Sequence, residues 1–143
     1  MKLVFDDGIK EFEVNGGAIL RFNPSDPALY DRFRGMIGKI EKLESDIAKE
    51  SKETSDGNKA LDKLCEYDHK VKGFLNEAFG LDNDFEQIFS GLNLMAVGTN
   101  GNRVVANFLD AIRPIIEDGA KQHAKAAAAD AVAEANARRN AVK

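Results

Sequence analysis

Within the run Arg21-Phe-Asn-Pro-Ser-Asp-Pro-Ala-Leu-Tyr-Asp-Arg-Phe33 the chain has to stop being a strand and become a helix. Pro24 has no N–H to give to a strand ladder. Asp26 carries an acceptor suited to a helix N-cap, and Pro27 fits the first helical position, whose φ proline already holds. Apolar residues alternate before this point and recur every three or four residues after it. The expected class is α+β, mainly α. An N-terminal β-hairpin or three-stranded meander should pack on a small helical bundle, with an Ala-rich C-terminal helix protruding.

Leu3-Val-Phe5, Glu11-Phe-Glu-Val14 and Ala18-Ile-Leu-Arg-Phe22 are the strand candidates, separated by Asp7-Gly8 and Asn15-Gly-Gly17. Asp-Gly and Asn-Gly supply the positive φ angles that tight hairpins need, so a three-stranded meander is the natural reading. Phe12 and Val14 share a face by alternation, with Ile19 expected opposite them. A sheet this small needs a helix against it.

From Pro27 to about Lys52 a stripe of Leu29, Phe33, Met36, Ile37, Ile40, Leu43 and Ile47 predicts an amphipathic helix. Gly35 and Gly38 lie inside it, either tolerated or admitting a close neighbour, and tolerance is the favoured reading. Ser51–Asn58 is a polar loop in which Ser55 or Asp56 can cap a second helix. That helix carries Leu61, Leu64, Cys65, Asp68, Val71, Phe74, Leu75, Ala78 and Phe79 on one stripe, and Gly80 should end it in the left-handed conformation. The two helices should form an antiparallel hairpin.

Asp82–Gly91 predicts a short capped helix with Phe85, Ile88 and Phe89 inward. Leu92–Val97 is ambiguous between strand and helical turn, and Gly98–Asn102 is a turn. A last core helix should bury Val104, Val105, Phe108, Leu109, Ile112, Ile115 and Ile116, with Pro114 kinking it or closing its first part. The expected organisation is one domain over residues 1–119, with the β element in 1–23 and the helices in 26–118. A frayed or protruding Ala-rich helix then occupies 120–143.

About half of residues 120–143 are Ala, which favours helix but buries little. Five Lys or Arg against two Asp or Glu give this tail +3, leaving −7 on the body of a chain whose net charge is −4. An acidic body repels phosphates, so no nucleic-acid partner is expected. No apolar run approaches the roughly 20 residues that span a bilayer, so no membrane role is expected either. The single Cys65 cannot form an internal disulfide and fits a reducing cytoplasm.

No catalytic constellation is readable, and neither enzyme activity nor a cofactor is expected. Asp82-Asn83-Asp84 opens like a calcium loop, but the sixth and twelfth places hold Gln87 and Asn93 instead of Gly and Glu, so capping is preferred. Val97–Asn102 precedes a helix yet lacks the glycine spacing of a phosphate-binding loop. His69 and His123 have no second ligand at zinc spacing, and Cys65 is expected to be a buried, inert thiol. The phenylalanines, Phe74, Phe79, Phe85, Phe89 and Phe108 among them, should be core or line a groove for an apolar helix. The candidate partner-binding residues are the tail cations Lys121, Lys125, Arg138 and Arg139. They are either a solvated end or a grip on acidic neighbours.

The order Glu11-Phe-Glu-Val-Asn-Gly16, Arg21-Phe-Asn-Pro-Ser-Asp-Pro27 and a charged amphipathic helix resembles small proteins of tailed bacteriophages. So do Phe74-Leu-Asn-Glu-Ala-Phe-Gly80 and Asp84-Phe-Glu-Gln-Ile-Phe89. The resemblance spans about residues 1–118, rests on structural motifs, and is to siphophage tail assembly chaperones. It implies work in the host bacterial cytoplasm, binding the long helical tape measure protein while tail-tube subunits gather on it. A longer frameshifted form is common in that family. The alternative is a structural tail completion or connector protein of the virion. Mass spectrometry of mature particles separates them, since only the connector would be present in fixed copy number. The first helix and the Ala-rich tail also offer surfaces for self-association as a homo-oligomer.

Overall fold

Asp26 does cap the first helix: its Oδ1 accepts from the Ala28 N–H at 2.9 Å, and its carbonyl accepts from Tyr30 N–H. In the computed structural model, which describes residues 1–53 and 56–141, six elements follow in order. They are β1 (Lys10–Glu13), β2 (Ile19–Phe22), α1 (Pro27–Glu53), α2 (Gly57–Phe79), α3 (Phe85–Ile88) and α4 (Val104–Ala141). The fold is mainly helical with an antiparallel hairpin at its start.

The hairpin turns where the Asn-Gly pair predicts, with Asn15 at φ 50° and Gly16 at φ 71°. It has two strands and not three. Leu3, Val4 and Phe5 pair with nothing and stand 87%, 89% and 71% exposed. Register also corrects the expected partner of Phe12, which lies opposite Leu20, while Ile19 lies opposite Glu13. A one-residue shift exchanges sheet faces, so Leu20 and Phe22 are buried and Ile19 is 43% exposed.

α1 and α2 form the expected antiparallel hairpin. Arg32 near the start of α1 donates from Nε to the carbonyl of Ala78 near the end of α2, and Tyr67 reaches Glu50 at the other end. Asp56 caps α2 by accepting from Asn58 N–H, while Ser55 lies outside the described residues. Gly80 ends α2 at φ 57° and ψ −147°. That is not the left-handed helical basin but a region open essentially to glycine alone. Leu81 and Asp82 also take positive φ, and this corner delivers Asn83 to the edge of β2.

The core joins the inner face of the hairpin to all four helices. Phe79 lies at its centre, with ring centroids 5.3 Å from Phe22, 5.4 Å from Phe85 and 6.5 Å from Phe108. α4 buries Val105, Leu109, Ile112 and Ile116, with Val104, Phe108 and Ile115 partly covered. Pro114 does not close the helix. Pro114 and Asp110, whose carbonyl it leaves without an N–H, both face solvent, where water can satisfy the lost bond.

Gly119 fixes how α4 meets the strand-to-helix junction. A Cβ there would fall 1.9 Å from the Pro24 carbonyl oxygen and 2.4 Å from its carbon. Backbone cannot yield as a side chain can, so Gly119→Ala should cost about 1–3 kcal/mol or more. Cβ atoms at Gly35 or Gly38 would meet nothing within 4 Å, which agrees with tolerance. Gly35→Ala and Gly38→Ala should each stabilise by about 0.5–1 kcal/mol through helix propensity. Urea denaturation of the three variants checks the opposite signs.

Candidate protein-binding surfaces

Three surfaces combine apolar area with access. The first is a cleft of about 590 Å³ between the last turns of α1 and the first turns of α2, with Ile47, Leu64 and Tyr67 among its walls. Glu44, Glu50, Lys63 and Arg103 supply charge around it. Part of the α2 stripe is not core: Leu61 and Cys65 are exposed, and Leu64, on the cleft wall, is only half-buried. The buried thiol expected at Cys65 is therefore corrected. The true inner stripe at that level is Tyr67 and Asp68, then Val71 and Lys72.

The second surface is a groove of about 410 Å³ between the hairpin and α4, lined by Phe12, Val14, Leu92, Phe108, Ile112 and Ile115 among others. The third is the end of α4. Every residue from Lys121 to Arg139 is exposed, so about five helical turns leave the body uncovered. At 3.6 residues per turn, Lys121, Lys125, Val132 and Arg139 fall along one stripe, and Asp130 and Glu134 lie on the opposite side. Arg138 is turned away from that stripe. None of these four cations forms a salt bridge among the described residues.

Behind the surfaces sits a polar centre that the sequence did not announce. Lys72, 3% exposed, donates from Nζ to Asp68 Oδ2 at 2.9 Å and to Glu86 Oε1 at 3.0 Å. Asp68, 5% exposed, turns its other oxygen to the Leu94 N–H at 2.7 Å. The segment Leu92–Val97 is thus neither regular strand nor helix. Its backbone is satisfied instead by Asp68, by Arg103 on the Met95 carbonyl, and by Val104 and Val105 on the carbonyls of Ala96 and Leu94. The signal for Lys72 was available: Asp68 and Lys72 stand four apart on an otherwise apolar stripe.

Asp68, His69 and Glu86 bring possible ligand atoms within 4.8 Å of one another, but the Lys72 ammonium already bridges the two carboxylates. His69 itself is exposed. Asp84 caps α3 by accepting from Glu86 N–H, as the capping reading of that run requires. In the Gly98–Asn102 turn, Gly98 N–H bonds the Asn102 carbonyl and Gly101 N–H bonds the Gly98 carbonyl. Those two donors are therefore spent internally.

Two groups tie stability to alkaline pH. The hydrogen bond from Tyr67 to Glu50, with burial, pushes the phenol from 10.0 up to about 12. Burial opposes the charge on Lys72, yet the hydrogen bonds to Asp68 and Glu86 outweigh it and raise the ammonium above 10.5. In both cases the folded state holds its proton more tightly than the unfolded chain. The Tyr67 contribution is complete below about pH 10 and is lost as pH rises through about 12, and that of Lys72 is likewise lost on the alkaline side of its ordinary range. Denaturant midpoints measured across this range should fall, and Tyr67→Phe should flatten the fall.

Among the described residues no helix is long and apolar enough to cross a membrane. No protein-family model, curated protein or solved structure matches this chain.

Proposed function

We propose that this protein is a tail assembly chaperone of a tailed bacteriophage. It would bind helical segments of the tape measure protein, assist tail-tube assembly and perform no catalysis. The observation that carries this reading is the bare end of α4. An Ala-rich helix of this length is marginal in water by itself, yet here it extends from the body with a basic stripe around Val132 and no covering element. A partner helix with apolar and acidic residues would supply what the arm lacks, and the cleft beside Tyr67 offers a second, apolar seat ringed by charges of both signs. The acidic body would keep such a complex soluble.

Co-expression with a tape measure protein tests the reading. The expected result is a rise in that protein's soluble fraction and co-purification that weakens with salt. Co-purification should also fall in the charge reversal of Lys121, Lys125 and Arg139 to Glu. An insoluble tape measure protein that does not co-purify would refute it.

A further inference from the structure

The two edges of the hairpin are not equivalent. Because Val14 N–H bonds the Ala18 carbonyl, the antiparallel alternation aims the main-chain groups of Ile19 and Arg21 outward from β2 and those of Glu11 and Glu13 outward from β1. On the β2 side Asn83 acts as a strand in miniature: its Oδ1 accepts from Arg21 N–H at 3.0 Å, and its Nδ2 donates to the Arg21 carbonyl at 2.8 Å. On the β1 side, among the described residues, nothing pairs with the outward main-chain groups of Glu11 and Glu13. An open edge of this kind is a template for another strand.

The chain also carries an unpaired strand of the right character. Leu3, Val4 and Phe5 are strongly exposed, and they do not fold back over β1. Folding back through Asp7-Gly8 would need positive φ at both residues. Only Gly8 has it, at 72°, and the Asp7 carbonyl is held by Asn23 Nδ2 at 3.0 Å. Gly8 itself lies so close to Asn23 that a Cβ would be 2.6 Å from Nδ2. The arm is therefore tethered toward the end of β2, away from the open edge of its own β1.

We infer that residues 2–5 of one copy pair antiparallel with the open edge of β1 in a second copy, so that the chains associate by exchanging N-terminal arms. Hydrogen bonding through Glu11 and Glu13 sets the register. Lys2 lies opposite Glu13, Leu3 opposite Phe12, Val4 opposite Glu11 and Phe5 opposite Lys10. This register turns Leu3 toward the face of Phe12, beside the groove that Val14, Phe108 and Ile112 line, and pairs Lys2 with an opposite charge. A slip by one residue would send Leu3 and Phe5 to solvent and is disfavoured. Exchange of an element between copies is a low-cost route to association. It does not depend on the identity of any other partner.

Sedimentation velocity on the full chain across the micromolar range tests it. Wild-type protein should associate reversibly. Val4→Pro removes an N–H from the arm ladder and should raise the dissociation constant at least about tenfold. Its melting temperature at low concentration should be unchanged, because the arm is exposed in the single chain. Glu13→Lys should weaken association, and combining it with Lys2→Glu should restore it. A wild-type chain that stays monomeric, a Val4→Pro variant that associates like wild type, or a failure of the charge swap to restore association would each overturn the inference.

Discussion

Asp68→Ala should destabilise the fold by about 3–5 kcal/mol, the range for removing one partner of a buried ion pair. Two losses combine. Lys72 keeps only the half-exposed Glu86 as counter-ion, and the Leu94 N–H loses its acceptor in a segment that packs Leu94 and Met95 fully inward. Asp68→Asn should cost less, because an amide oxygen still accepts from Leu94. Adding Lys72→Met to Asp68→Asn should recover most of the loss, since the charge no longer needs a partner. Urea unfolding of these variants measures the effects. A loss below about 1 kcal/mol for Asp68→Ala would mean that water reaches the pair.

Phe79→Ala should cost a similar amount, about 3–5 kcal/mol, because a ring and its surroundings are lost together. The effect should also be distributed. Phe79 touches Phe22 of β2, Phe85 of α3 and Phe108 of α4, so one cavity loosens three elements against α2. Thermal melts should show the lower midpoint, and near-ultraviolet circular dichroism should weaken as the phenylalanine cluster disorders. Leu61→Ala, at an exposed position on the same helix, should stay within about 0.5 kcal/mol.

What the sequence made legible was whatever depends on local chemistry. Asp26 and Pro27 open α1, Asn15-Gly16 makes the hairpin turn, Asp84 caps α3, and the stripe from Val105 to Ile116 faces inward. What stayed hidden depends on distant neighbours. Leu3–Phe5 has strand composition, but its pairing is decided by Asn23 gripping Asp7 across the hairpin. Cys65 lies on the sequence's apolar stripe yet is exposed, which periodicity cannot foretell. Lys72 stands four residues from Asp68, but only the fold buries the pair and brings Glu86 to it. Pro114 does not end α4, and the carbonyl it frees, at Asp110, faces water.

The candidate surfaces divide in the same way. The exposure of Lys121, Lys125, Arg138 and Arg139 follows from an Ala-rich sequence with nothing large to bury. The shared stripe of three of them follows from helical geometry once the helix is known to continue to Ala141. The cleft beside Tyr67 could not be read in advance, because it is a gap between helices.

If greasy and basic helix faces on this molecule exist to hold another polypeptide, hydrogen exchange will register the grip amide by amide. Measured on the free protein and again with a helical tape measure segment added, amides in 121–139 should change from fast exchange to strong protection. The cleft walls in 44–50 and 60–67 should slow with them. Exchange rates in both regions that are the same with and without the segment would contradict the account.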